Sequence, residues 1–540
     1  MSGERSVKAQ CLPFGQIPHT TRLFTDFLSA AAGVAQFYPR GPHFTEWLKD
    51  EAGKIQYDPQ RRSRVAAILE CQNKAWNASP KTLENIARLR EGAYAAVTGQ
   101  QVGLFGGPLF SILKALTAAK LAEQASAAGV PCVPVFWLAT EDHDLAEVNH
   151  TAFPGPDASL QKFVASTQAQ PDTPVGAIPF GPEIESVVEE AAGFLGDSPL
   201  AALLRQCYRP GETLGSAFGR LFAKLFAEWG VILLDASDPE LHVVSEPIYR
   251  AAAERGAELE TALLERGRLL EEAGYHQQVK VAANSTLLFA LREGARTPVH
   301  RGDGGFVIGE SAVARQELLR QIAAEPQRFS ANVLLRPVVQ DYLLPTLVYT
   351  GGPAEVAYFA QAAVVYKALS GRVTPILPRF SATLLEAKPQ NLMERYGLSL
   401  PDLFHGPDRL QQTLASRSMA QDLQAAFDHA DKTVQECIEA IKAGLARLDK
   451  TLVDSAVHAG EKMRYQIEQL RGRAARAEAR QSEVLQRHAQ FLSQLLYPEK
   501  NLQEREIAGI YFLARHGEPL LRDLYDTMGS ECLDHHLISF

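Results

Sequence analysis

A single stripe of apolar side chains runs from Val434 to Ala477 in steps of three and four, through Ile438, Ile441, Leu445, Leu448 and Leu452. That step is the period of one helix face, and over this length it commits the segment to long helices whose apolar side must be covered. Asp449 with Thr451 is a capping signal, so the stripe folds either as two antiparallel helices or as one very long one. Ala456, Ala459, Ala474 and Ala477 are small enough for a neighbouring helix to approach closely. The cover is either the chain's own hairpin or a second subunit, and the length of the stripe points to a coiled coil pairing two copies.

The rest of the chain is written differently. Up to about residue 385 short apolar runs alternate with helical patterns and many Gly and Pro, whereas from about 418 to 497 Ala, Gln, Arg, Glu and Leu dominate. Over 540 residues, 46% hydrophobic and 22% charged is ordinary globular composition. A net charge of −9, from 54 basic and 63 acidic residues, argues against a chain that coats nucleic acid or an anionic membrane. No run of about 18 apolar residues would span a bilayer. The amino-terminal run from Met1 to Lys8 lacks the apolar core of a secretory signal. Cys11, Cys71, Cys132, Cys207, Cys437 and Cys532 are scattered, fitting neither a zinc ribbon nor a disulfide scaffold. The expectation is a soluble, cytoplasmic protein of a reducing compartment.

Strands are expected at Ala93–Val97, Val133–Ala139, Val231–Leu234 and Thr346–Tyr349, with helix-length segments between them, such as Pro108–Ala122 and Leu214–Trp229. The almost wholly apolar VPVFWLA reads as a parallel strand covered on both faces. The fold class that follows is α/β: a mostly parallel, Rossmann-like sheet with insertions at about 151–212 and 240–330, the latter including a small antiparallel unit over Ser285–Ile308. This core would occupy 1–385, the coiled coil 386–500, and a final segment 501–540 would pack back on the core.

Two strand–glycine–helix units stand out. Thr98-Gly99-Gln100-Gln101 leads through Gly103, Gly106 and Gly107 to Pro108, which suits the first position of a helix carrying Lys114. Free backbone N–H groups at such a helix start attract phosphate or carboxylate; the alternative is a loop shaped only for packing. It is neither a Walker loop nor G-x-G-x-x-G. The second unit is Gly351-Gly352-Pro353-Ala354-Glu355, and both would lie on the carboxyl edge of the sheet, where open α/β folds bind ligands.

The third signal follows VPVFWLA directly: Glu141, Asp142, His143, Asp144, Glu147, Asn149 and His150. His143, its tautomer fixed by Asp142 or Asp144, would serve as a general base, and Glu141 would orient a substrate ammonium or hydroxyl. Were the segment helical, His143, Glu147 and His150 would share a face; their spacing matches no zinc motif, and no metal is expected. A solvated acidic loop is the plain alternative. Arg336 and Arg379, set in apolar surroundings, either hold a carboxylate or phosphate or form structural ion pairs. Asp235 ends its strand where nucleotide-binding folds often place a sugar-binding acid, and Leu502–Arg505 opens the final segment.

The motifs TGQQVGLFGGPLFSILKA, VPVFWLATEDHDLAEVNH, LLRPVVQDYLLPTLVYTGGPAEVAYFAQ, ILPRFS and NLQERE, in that order over nearly the whole chain, resemble the bacillithiol-biosynthesis cysteine-adding enzymes, the BshC family of cysteine ligases. Lys450 stands where that family tends to carry Pro. The resemblance implies a Rossmann-like core, a dimerising coiled coil, and a reaction joining L-cysteine to the amine of glucosaminyl-malate. Activation of the carboxylate would be supplied most simply by ATP. Backbone amides at Gly99, Gly103, Gly106 and Gly107 would hold anionic groups. The competing reading is a nucleotide-responsive coiled-coil scaffold without chemistry, for which a concentrated acid–base loop has little use.

Overall fold

The computed structural model describes residues 7–418, 421–481, 483–529 and 532–540; Met1–Ser6, at the head of the amino-terminal run, lie outside them. The strands used below are Lys8–Leu12 (β1), Tyr94–Gln100 (β2), Cys132–Leu138 (β3), Ile232–Asp235 (β4), Ser285–Arg292 (β5), Ala295–Gly302 (β6), Thr346–Gly351 (β7), Ile376–Pro378 (β8), Ala382–Leu385 (β9) and His535–Ser539 (β10). The helices are Leu109–Ala127 (α1), Arg336–Leu343 (α2), Pro353–Leu369 (α3), Gln421–Leu448 (α4) and Val453–Gln481 (α5).

The central sheet is parallel throughout, in the order β8–β7–β2–β3–β4. Strand β3 explains why its sequence shows no polar alternation. Phe136 and Leu138 enter the apolar cluster shared with α1, while Val133, Val135 and Trp137 enter the cluster on the opposite face. Both faces are covered, so every residue of the strand is buried. All four expected strands form; β8, in the segment ILPRF, extends the sheet by a fifth.

Residues 150–164 make a hairpin (His150–Pro154 with Leu160–Val164), followed by helices at Ile184–Leu195 and Pro199–Cys207. Strands β5 and β6 pair antiparallel, with Phe329–Ala331 and two short strands completing that sheet. The two ends of the chain meet in a third sheet, where β10 runs parallel to β9 and antiparallel to β1.

The apolar stripe folds as two helices, α4 and α5. The Asp449 carboxylate caps the intervening turn by accepting from Thr451 N at 2.9 Å. Gly460 lies against Ile438, and Arg464 and Arg471 reach across to Asp431 and Asp428. A hairpin covers only part of the stripe: Leu448 stays 80% exposed, and Ile441, Met463, Tyr465 and Leu470 are exposed as well. No described helix is long and apolar enough to cross a membrane.

The scattered cysteines depart from expectation at one place. Cys11 and Cys532, at opposite ends of the sequence, form a disulfide because β1 pairs with β10. Spacing along a chain says nothing about pairs made by its two ends.

Candidate functional site

The two strand–glycine–helix units do lie side by side, since β2 and β7 are neighbours, and Thr98 Oγ1 donates to Thr350 O at 2.8 Å between them. A buried ion pair joins their helices. Lys114, only 3% exposed, places Nζ 2.5 Å from Glu355 Oε2, 2.8 Å from Gly99 O and 2.9 Å from Gln100 Oε1. Glu355 also accepts from Tyr349 OH at 2.6 Å and from Gly352 N at 2.8 Å. Burial works to raise this carboxyl, but Lys114, Tyr349 and the Gly352 amide together hold Glu355 below the usual carboxylate range. Burial, joined by Arg379 and Arg336, pulls Lys114 down against the support of Glu355.

Beside this pair opens a cavity of about 500 Å³, lined by Gly99, Gln100, Gln101, Lys114, Arg336, Gly352, Glu355 and Arg379 among the expected residues. Trp137, Tyr349, Tyr358 and Phe110 give it aromatic walls. A second cavity, of about 220 Å³, shares Gln100, Gln101, Phe110, Glu147 and Arg505 with it, and adds Gly103, Gly107, His150 and Lys162.

The arginines differ in how they are satisfied. Arg379 donates to Glu504 Oε1 at 2.6 Å and to Phe380 O at 2.8 Å, so it is half of a structural ion pair. Glu504 in turn accepts from Ser381 Oγ and Ala382 N. Arg336, by contrast, donates to the neutral partners Gln340 Oε1 and Tyr358 OH, at 3.0 and 2.8 Å. Arg505 lines both cavities, with its guanidinium over Phe110. Among the described residues neither Arg336 nor Arg505 has a carboxylate within 4.0 Å of its nitrogens. Two arginines on the cavity wall, Arg336 half-buried and Arg505 exposed, neither with a carboxylate at salt-bridge distance, make the larger cavity a place for an anion.

Several expectations are corrected. Pro108 is the cap of α1 rather than its first residue. Three of the four amides expected to hold an anion are spent inside the protein: Gly103 N donates to Gln101 O, Gly106 N to Gly103 O and Tyr208 OH, and Gly107 N to Leu104 O. The α1 start is closed by the carboxyl-terminal segment, Leu109 N donating to Ile507 O at 2.9 Å while Pro108 bridges to Ala508. Packing explains these glycines, since Gly106 (φ +88°) and Gly107 (φ +69°) adopt the left-handed backbone that side chains disfavour.

The acidic segment is also only partly in place. His143 lines neither cavity; its Nδ1 lies 3.4 Å from Arg296 Nη1, and its ring sits near Phe289 of β5. Asp142 fixes the backbone N of His143 and accepts from Gln101 Nε2 at 2.7 Å, which Glu147 also accepts at 2.8 Å. Glu141 turns inward toward His242, 3.3 Å away, and burial pushes its carboxyl above the usual range although His242 draws it down. Asp144 caps the short helix Leu145–Val148, and Asn149 ends it. With that helix over by Val148, His143, Glu147 and His150 do not share a helical face, and they are not gathered within ligand distance. Asp235 is spent on Thr140, Ser237 N and Ser237 Oγ. Gly351 is buried, its carbonyl accepting from Arg379 N. Residues the sequence left unremarked are Trp137, Tyr349, Tyr358 and Arg296. The charged run Glu504-Arg505, within an apolar carboxyl-terminal stretch, was the available signal for its own role.

Residues 7–380 match the family model described as "Bacillithiol biosynthesis BshC, N-terminal Rossmann-like domain", and residues 382–540 the one described as "Bacillithiol biosynthesis BshC, C-terminal coiled-coil domain". Three relatives, each named "Putative cysteine ligase BshC", are from Koribacter versatilis, Solibacter usitatus and Salinibacter ruber. They are 49%, 37% and 32% identical, over 98%, 98% and 96% of this chain and 99%, 99% and 96% of theirs.

Proposed function

The chain belongs to the bacillithiol biosynthesis BshC family, and from that membership we propose that it is a ligase making a carbon–nitrogen bond, between the carboxyl of L-cysteine and the amine of glucosaminyl-malate. The observation that carries the reading is the pair Arg336 and Arg505, guanidinium groups without carboxylate partners in an aromatic-walled cavity of about 500 Å³. An amide made from a free carboxylate needs an activated acyl group, supplied here by ATP as an acyl-adenylate or acyl-phosphate. The cavity suits that co-substrate: guanidinium forks take phosphate, and aromatic faces take a base.

The smaller cavity suits the amino sugar. Glu147 accepts hydrogen bonds from its ammonium or hydroxyls, and Lys162 faces its carboxylates. The amine nitrogen attacks the activated carbonyl, the C–N bond forms, and the phosphate-bearing group leaves with the electron pair. His150, which lines this cavity, takes the amine proton. His143 gives up the role of base, because a base must reach the proton it removes. The exposed apolar side chains of α4 and α5 support pairing of two copies into a homodimer, and the reaction belongs in the cytoplasm, where ATP and free cysteine are found.

The test is incubation of the full chain with L-cysteine, glucosaminyl-malate and ATP, followed by mass spectrometry. The amide product is expected, and Arg336→Ala should weaken ATP binding by about 10- to 100-fold, the range for a hydrogen bond to a charged group. ATP binding without any amide product would leave the scaffold reading standing in its place.

A further inference from the structure

Outside the two cavities, the described residues bring two sulfurs and an imidazole together at one place. Cys11 and Cys532, separated by 521 residues, are joined as a disulfide with Cα atoms 6.5 Å apart, within the span such a bond bridges. Their sulfurs and a ring nitrogen of His536 all lie within 4.8 Å of one another. Cys532 and His536 form part of the wall of a separate cavity of about 220 Å³, with His43, Lys120 and Asp534. Cys11 is exposed and Cys532 half-buried, so the bond is accessible.

The other cysteines are unlike this pair. Cys132 and Cys207 are buried, which pushes their thiols up to about 12 and about 11 and keeps them protonated. Cys71 and Cys437 are exposed, and neither is paired. Among the described residues, only at Cys11 and Cys532 do two sulfurs, an imidazole and a cavity of small-molecule size coincide.

We infer that Cys11 and Cys532 form a thiol–disulfide exchange site whose partner is a small carboxylate-bearing thiol, of the class of cysteine, entering through this cavity. Lys120 and His43 face the carboxylate. His536 accepts the proton of the entering thiol. The resulting thiolate attacks Cys532 Sγ, the Cys11–Cys532 bond breaks, and Cys11 leaves as a thiolate that is then protonated. A second thiolate attacks the mixed disulfide, releasing Cys532 and the small-molecule disulfide. The sum is one protein disulfide and two thiols going to one protein dithiol and one small disulfide; the reverse closes the bond at the expense of cystine.

The bond ties β1 to Cys532, three residues before β10, and β10 reaches the main site. His535 contacts Ser381 Oγ at 2.7 Å and Thr383 Oγ1 at 2.9 Å, and Ser381 holds Glu504, the partner of Arg379. The thiol pool would therefore set how firmly the terminal strand is held behind one wall of the larger cavity.

The test needs neither ATP nor an amine acceptor, so its outcome is independent of the ligase reading. The full chain is equilibrated in cysteine/cystine mixtures from both the reduced and the oxidised side, quenched in acid, alkylated and mapped by mass spectrometry. The Cys11–Cys532 peptide should appear and vanish reversibly at the same mixture from either side, with Cys132 and Cys207 unpaired throughout. Cys11→Ser should trap Cys532 as its mixed disulfide with cysteine. His536→Gln should slow exchange by about 100-fold or more while leaving the end point unchanged, as loss of a proton acceptor does. A bond that resists cysteine in the folded protein, or Cys532 left unmodified in Cys11→Ser, overturns the inference. So does one equivalent of zinc retained by the purified wild type and lost in Cys532→Ser, which would make the cluster a metal site.

Discussion

Two turns with the same local sequence, Gly106-Gly107-Pro108 and Gly351-Gly352-Pro353, have opposite fates. The first is closed. Its amides bond within the loop, its glycines take left-handed backbone, and Ile507 and Ala508 lie over the start of α1. The second is open, with Gly352 in ordinary extended backbone lining the larger cavity and Glu355 turned back onto its amide. A strand–Gly-Gly-Pro–helix pattern thus specifies a sharp turn but not a ligand site. What decides is whether another part of the chain covers the helix start.

The sharpest way to break this comparison is at the smaller cavity, beside the closed turn. His150→Ala should lower turnover by about two to four orders of magnitude, as loss of a general base does, while His143→Ala should stay within about tenfold of wild type. Steady-state kinetics of both folded variants decide it, and the reverse ranking would return the base to the acidic segment. Next in size is the ion pair that joins the helices following the two turns. Glu355→Gln leaves Lys114 buried without a carboxylate and should cost about 3–5 kcal/mol in denaturant unfolding.

The same pair gives a pH signature. Because Glu355 is held below its ordinary value of 4.5, its contribution is complete above about pH 4.5 and disappears as pH falls through the lower folded value. Unfolding curves across the acid range should show this loss in the wild type and a flatter profile in Glu355→Gln. The smallest effect compares the glycines themselves. Gly106→Ala, at φ +88° with Leu221 Cδ2 only 3.1 Å from the new methyl, should cost about 1–3 kcal/mol. Gly352→Ala meets nothing closer than Arg379 Nε at 3.4 Å and should change stability by no more than about 0.5 kcal/mol, measured by the same unfolding.

Much of the scaffold was legible because it is written in local periodicity. VPVFWLA had to be a strand buried on both faces, the Val434–Ala477 stripe had to be long helix, and Asp449 with Thr451 marked where that helix turns. The site was legible only as a set of ingredients. Lys114, Glu355 and Arg336 were noticed separately, yet the contact of Lys114 with Glu355 depends on β2 and β7 becoming neighbours across some 250 residues of sequence. Glu504 had no visible reason to face Arg379, and Tyr349 and Tyr358 sit in apolar runs that give no sign of a cavity wall.

The sequence by itself determined the elements, their order and the chemical types on offer, because helix and strand periods and turn residues act over a few neighbours. Only the tertiary structure decided which arginine keeps a free charge, which glycine turn stays open, that His143 stands outside the cavities, and that Cys11 meets Cys532. Each depends on which distant segment supplies the counter-charge, the cover or the second sulfur, and no local pattern encodes that.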